Sequence, residues 1–314
     1  MAPIRSSDVV LTGASALTVA AAAPIAPARW AGKEARLTRM DRLCGLALVA
    51  CDAALVDAAL SAEAAEWMGE RTAIVFGTAF GCHATNEDYY RRLVREGALG
   101  ASPRLFAYTL PSSPVGEVSI HYGVRGPTIT LANGLTSGLD ALAEGVALVA
   151  SGRCDRALVC AAEVATPLLA QLLGDATLLD VGAALVVERE SDAAARGATV
   201  RARVLGAAAA FEPSSPSNAI ADAVERALAD AELPAGAPRT LLATPLDGAA
   251  TRRLGVTATR LRPVTDAGPT GNLMAAAPLA ALARWLPGAE REALALLCAG
   301  DASGAGAAAI VRAG

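Results

Sequence analysis

The feature that most limits how this chain can fold is a rhythm along its length. Short apolar runs, several without polar alternation, take turns with longer Ala/Leu-rich stretches of helical period. The first set of runs covers residues 9–12, 72–76, 128–132, 157–161 and 183–188. A second covers 199–204, 240–243, 294–298 and 307–311. A strand with no alternating polar positions is buried on both faces, which requires helices on both sides of its sheet. Helical periodicity is clear over 41–60, over 137–149 with Thr136 or Ser137 as N-cap, and over 217–231, where Ile220, Val224 and Leu228 share one stripe. The pattern therefore predicts a layered α/β protein.

The organisation reads as twofold, with halves at 1–190 and 191–314. The polar, Ala/Gly-rich stretch 188–198 (ERESDAAARGA) is the crossover between them, and 211–218 (FEPSSPSN) is a loop leading into a helix. The apolar stretch 9–28 imitates a signal peptide with an A-x-A site. Thr12-Gly13 interrupts it, and Pro24 and Pro27 bar a helix through it. It reads instead as a strand over 8–12, then Gly13 and a small-residue loop. No apolar run reaches the roughly 20 residues a membrane helix needs, so no membrane association is expected and a cytoplasmic location is.

Composition narrows the chemistry. The 314 residues carry only two histidines, His83 and His121, and Lys33 is the one lysine. A multi-histidine metal site is excluded unless Cys or carboxylates complete it, so no metal is expected. A net charge of -4 gives no reason to expect a nucleic-acid face. Cys44, Cys51, Cys82, Cys154, Cys160 and Cys298 include no C-x-x-C pair and read as free thiols of a reducing compartment. No phosphate-loop or dinucleotide fingerprint occurs, so no nucleotide cofactor is expected. The arginines Arg91, Arg92 and Arg95 could meet an acidic carrier protein, but read first as a solvated helix face.

A family resemblance enters through six segments in order. VVLTGASALT (9–18) resembles the opening strand of β-ketoacyl-acyl-carrier-protein synthases. IHYGVRGPTITLANGLTSGLDAL (120–142) resembles their YGLRGPS…TACTSG stretch and following helix. RCDRALVCAAEVATP (153–167) resembles the next strand with its GGAE ending, and TLLDVGAALVVERE (177–190) the G-D-G-A…L-V-L-E segment. GPTGNLMAAAPLAAL (268–282) resembles the K-x-x-x-G-H-x-x-A-A element, and LCAGDASGAGAAAIV (297–311) the final Gly-rich loop and strand. The resemblance implies the thiolase fold: two similar α/β halves in an αβαβα layered body. It also implies dimerisation through the strand beside the nucleophile elbow, here Thr128, Ile129, Thr130, Leu131 and Ala132.

The residues that carry the family chemistry are missing. Ketosynthases use a Cys at a buried helix N-terminus, where the dipole and free N–H groups lower its pKa. Here the Cys position falls on Leu135. The first catalytic His falls on Thr244, the Lys on Ala267 and the second His on Asn272. The Phe of the terminal gating loop falls near residues 300–302 and is absent. Losing both histidines removes the stabilisation of the enolate, a contribution of several kcal/mol in such sites. Both histidines of this chain precede the elbow, so a shifted alignment restores neither.

The resemblance therefore implies an inactive family member, similar to the chain-length factors that pair with an active ketosynthase in type II polyketide systems and shape the elongation tunnel. Acyl carrier protein is the second partner implied. The chain is roughly a quarter shorter than typical members, a large deficit for one domain. Compact chain-length factors of this kind resemble those of polyene-forming pathways. Segment 104–120 aligns with the part that reaches across the dimer, which makes Leu105, Phe106, Tyr108, Thr109 and Leu110 candidate tunnel walls, with Leu135 as a plug in the old pocket. Two alternatives stay open: a homodimer that binds acyl carriers or lipids, and an acyltransferase on the same fold built around Cys82 or Ser137.

Overall fold

The computed structural model describes residues 8–20, 23–25, 30, 34–60, 69–234, 237, 240–243, 262–263 and 272–314. The first half contains strands β1 (Val9–Val19), β2 (Thr72–Gly77), β3 (Thr128–Leu131), β4 (Arg156–Glu163) and β5 (Asp180–Arg189). Its main helices are α1 (Arg42–Asp57), α2 (His83–Glu96), α3 (Ser113–Tyr122), α4 (Ser137–Ala150) and α5 (Pro167–Leu173). A short helix α6 (Glu190–Ala195) occupies the crossover. Then follow β6 (Ala202–Phe211), α7 (Pro216–Asp230), β7 (Thr240–Ala243), β8 (Arg262–Pro263), α8 (Ala277–Trp285), β9 (Leu294–Gly300) and β10 (Ala305–Ala313).

The strands join in the order β3-β2-β4-β5-β1-β6-β10-β9-β7-β8. Read outward from the middle, β1-β5-β4-β2-β3 and β6-β10-β9-β7-β8 are the same arrangement. In each half the three outer strands run parallel, while the other two pair antiparallel. The half-sheets are joined by the pairing of β1 with β6, at Val10↔Arg203 and Leu11↔Ala202.

Five layers follow from which helix touches which strand. Helix α4 packs on β2 and β4 of one half and on β6 and β10 of the other, and α8 packs on β1, β5, β7 and β9. Both therefore lie between the two half-sheets. Helix α1 covers the outer face of β1, β4 and β5, and α3 packs against α1 and against β2 and β3. That placement explains why α1 is buried nearly all round from Leu43 to Leu55, with no polar stripe. Helix α7 covers β6, β9 and β10. This is the αβαβα body of a thiolase-like fold.

The sequence reading falls short at two strands. β1 does not end at Thr12 but runs to Val19, paired with β5 along its length. Gly13 is not a chain break. It sits at a bulge between Leu11 and Gly13, and a Cβ there would overlap the Ala54 carbonyl oxygen of α1. β6 starts three residues later than the apolar run at 199–204 and continues through Ala207–Ala210, which faces Ala307–Ala309 of β10. Alanine has little strand preference, and the ladder overrides it. Helix α2 is the solvated helix expected around Arg91, Arg92 and Arg95, and it begins at His83.

The bulge at Thr12 serves a buried ion cluster. Glu188 of β5 is fully buried; it accepts from Thr12 Oγ1 at 2.7 Å and meets Arg156 at 2.9 Å and Arg196 at 2.5 Å. Arg196 also donates to the Ala58 carbonyl at 2.8 Å, which ties α1 to the crossover. Burial alone would raise the Glu188 carboxyl; the Arg196 and Thr12 hydrogen bonds and the Arg156 charge outweigh it and hold the group below its ordinary value. Its contribution is thus present above the usual carboxylate range and lost as pH falls through the depressed value. Glu188→Ala strands two arginines in the interior and is expected to lower unfolding free energy by about 3–5 kcal/mol, measured by urea titration at pH 7.

Candidate functional site

The site forms where the N-terminus of α4, buried between the half-sheets, meets loops from both. The elbow runs from Asn133 to Ser137. Gly134 has φ +85°, a left-handed conformation suited to glycine. Ser137 Oγ accepts from the Asn133 amide at 2.8 Å and donates to the Gly134 carbonyl at 2.7 Å. Asp140, one turn on, accepts from Thr136 Oγ1 at 2.8 Å and Asn133 Nδ2 at 3.3 Å. Burial raises the Asp140 carboxyl, against those hydrogen bonds.

Leu135 stands where a nucleophile would. Its side chain packs with Phe80 and Ala170 against a small core of Ala165, Leu169, Leu178 and Met274. The apolar groups of this cluster come from the loop after β2, from α5 and its exit, and from the turn before α8. Sequence reasoning placed Leu135 but not the residues around it.

A second feature missed as a site residue is Glu163, at the end of β4. It is fully buried, and its carboxylate accepts from the Ala79 amide and, at 3.4 Å, from the Phe80 amide. It thereby fixes the loop that presents Phe80 to Leu135. Burial pushes Glu163 up to about 8, although the Ala79, Phe80 and Thr78 hydrogen bonds favour the ion. The CAAE ending at 160–163 was the available sequence signal.

Of the lost catalytic positions, Thr244 and Ala267 lie outside the described residues. Asn272 is described and acts as a latch. Its Nδ2 donates to Asp175 at 2.9 Å, its Oδ1 accepts from the Met274 amide at 2.8 Å, and its backbone bridges Leu178. It holds the segment after α5 down on the turn that carries Met274.

Neither alternative nucleophile is built for attack. Cys82 is buried, its thiol donating to the Leu110 carbonyl at 3.3 Å; burial pushes it up to about 12, and nearby Asp41 adds to the shift. A thiol in that state is the opposite of an activated one. Ser137 is fully buried and spends both hydrogen-bonding roles on the elbow backbone. All six cysteines are free and buried. Among the described residues no cluster of His, Cys, Asp and Glu could hold a metal ion, and no helix is long and apolar enough to cross a membrane.

The proposed walls are divided. Phe106 and Leu110 are each 62% exposed in the lone chain. Leu105 and Thr109 are half-buried. Tyr108 turns away to bond Glu117 at 2.7 Å and borders a separate cavity of about 610 Å³ with Trp30, Arg36, Arg39, Met40 and His121. The dimerisation candidates Thr128, Ile129, Thr130 and Leu131 form β3, which pairs with β2 on one side and is the outermost strand of the sheet; Ala132 follows it and is exposed. Arg91, Arg92 and Arg95 are exposed on α2, with Arg91 paired to Glu87 one turn away.

Comparison with known proteins supplies a family. The model described as "Beta-ketoacyl synthase, N-terminal domain" matches residues 8–200. The tetracenomycin polyketide synthase ketoacyl synthase alpha subunit of Streptomyces glaucescens is 36% identical over 39% of this chain and 29% of its own length. Nodulation protein E of Rhizobium leguminosarum bv. trifolii is 32% identical over 63% of this chain and 55% of its own length. The chain thus spans between about a third and about half the length of these curated relatives. Among solved structures, "The ishigamide ketosynthase/chain length factor" superimposes with a TM-score of 0.79 at 26% identity, covering 98% of this chain and 99% of that one. A ketosynthase titled as a complex with a type II PKS acyl-carrier protein gives 0.79 at 17% identity over 97% of this chain and 99% of that one, a likeness of fold.

Glu163 makes the site pH-sensitive. Its folded value lies above the ordinary Glu value, so the stability it contributes is complete below that range and is lost as pH rises through about 8. Thermal melts from pH 5 to 9 are expected to show a falling midpoint across that interval, and Glu163→Gln to flatten the slope.

Proposed function

This chain belongs to the β-ketoacyl synthase family, and from that premise we propose that it is a non-catalytic chain-length factor, pairing with an active ketosynthase and shaping the tunnel in which a polyketide or polyene chain grows. The observation that carries the reading is the elbow: position 135 is leucine, with no nucleophilic atom, and it packs into a cluster of apolar side chains. A Cys lost alone would leave a decarboxylation site. Here Asn272, at the second histidine position, is spent as a structural latch.

The likeness to a structure titled as a ketosynthase/chain length factor supports a heterodimer with a Cys-bearing homologue. The edge strand β3 supports the route of association, because its outer side offers unpaired backbone groups to a second sheet. Ala132 extends that edge. The exposed Phe106 and Leu110 are large apolar groups that a partner would cover, and with Leu105 and Thr109 they are the walls we assign to the tunnel. Tyr108 joins that wall only through its helical turn, since its ring faces the separate cavity. Acyl carrier protein would deliver substrate to the partner's thiol. The halves 1–190 and 191–314 then have different duties, the first supplying edge and walls and the second covering the central helices. We place the complex in the cytoplasm.

Co-expression with a Cys-bearing ketosynthase homologue from the same source tests the reading. Size exclusion is expected to give one 1:1 complex, and Ile129→Pro, which puts an imide in β3, to reduce recovery of that complex at least tenfold. A well-behaved monomer beside the ketosynthase would overturn the proposal. A homodimer that binds acyl carrier protein alone would replace it with the carrier- or lipid-binding reading.

A further inference from the structure

The backbone amide of Leu135 is not free. It donates to Asp301 Oδ2 at 3.3 Å, from a residue 166 positions away in the loop between β9 and β10. The other carboxylate oxygen of Asp301 is anchored in its own loop: Oδ1 accepts from the Ser303 amide at 2.9 Å and from the Ser303 hydroxyl. The Asp301 backbone also closes the turn, its amide reaching the Ala305 carbonyl at 3.2 Å and its carbonyl accepting from Gly304 at 3.2 Å. Position 134 is glycine where the family motif TACTSG has alanine, and a Cβ there would overlap Asp301 Oδ2. Gly134 and Asp301 are therefore one device. The missing methyl opens the space that the carboxylate enters.

We propose that Asp301 is a built-in anion that occupies the elbow amide, so that this chain cannot seat the developing negative oxygen of an acyl group at position 135 even when a thiol is supplied there. An amide at a buried helix N-terminus attracts negative charge. In an acylating enzyme that attraction is kept for the reacting oxygen and the thiolate. Here a full negative charge already holds the amide, and Asp140 lies on the same helix turn. A thiolate at position 135 would face repulsion where the family architecture provides attraction. The inference rests on the non-catalytic reading but is independent of any partner.

The test uses the full chain and its reactivity. Leu135→Cys is made alone, with Asp301→Asn and with Asp301→Ser, and labelling of the new thiol is followed by peptide mass spectrometry against wild type. Rates are measured from pH 5 to 10 with neutral iodoacetamide and anionic iodoacetate. With Asp301 present, the midpoint of the iodoacetamide profile is expected to lie at least about one pH unit above that of either double variant. Iodoacetate is expected to be disfavoured relative to iodoacetamide by a further factor of about 3–10 that vanishes on removing the carboxylate. Matching midpoints and matching reagent ratios across the three variants would overturn the proposal. Gly134→Ala provides a route that leaves Asp301 in place: combined with Leu135→Cys, it should shift the midpoint in the same downward direction by expelling the carboxylate. An unshifted profile there counts against the device. None of these readouts depends on complex formation, so failure to pair with a ketosynthase and failure of the lock are separate results.

Discussion

The structure depends on how one helix end is satisfied. Helix α4 lies between the two half-sheets, its N-terminal elbow is only partly open to water, and the dipole concentrates positive potential there. An enzyme of this architecture answers that demand with a reactive thiolate and, transiently, with substrate. This chain answers it with its own side chains: Ser137 on the Asn133 amide, Asp140 through Thr136 and Asn133, and Asp301 on the Leu135 amide. The positive potential at this helix end is thereby used for cohesion. Because Asp301 comes from the β9–β10 loop, the same bond ties the second half to the elbow of the first, across a body whose half-sheets are joined by the pairing of β1 with β6.

The space beside the elbow is handled in the same way. A pocket left empty would cost its lining atoms their contacts. Phe80, Leu135, Leu169, Leu178 and Met274 close on one another instead, and each comes from a different segment. Two polar clamps hold those segments at the required spacing. Glu163 fixes the Phe80 loop by its amides, and Asn272 fixes the Leu178 segment to the Met274 turn. Met274 adopts φ +49°, a conformation unfavourable for a side-chain-bearing residue, next to the amide that Asn272 binds.

What could be read from sequence was what repeats locally. Strands buried on both faces announce themselves by apolar runs, and β2, β4, β7 and β9 lie where those runs predict. The missed stretches depend on a partner elsewhere in the chain. Gly13 resembles a terminator until α1 is seen to press its Ala54 carbonyl against it. Ala207–Ala210 has no strand preference until Ala307–Ala309 lies beside it. The site divides by the same rule. Leu135 was legible because it interrupts a motif of neighbours; Glu163 ends one, at the close of CAAE, but was not read as a site residue. Asp301 was not, since nothing near residue 301 points to a donor 166 positions away.

Glu163 shows how one buried polar group can set two surfaces. A buried carboxyl pushed up to about 8 is expensive to keep in the interior. Its side-chain hydrogen bonds go to the loop from Thr78 to Phe80. That loop does two things at once: it sets Phe80 on the filled pocket, and it leads into α2 beside the Leu110 carbonyl that Cys82 binds. The second contact places Leu110 and, with it, the exposed apolar segment that includes Phe106. One buried carboxyl group thus bears both on the packing beside the elbow and on the placement of an apolar surface directed outward.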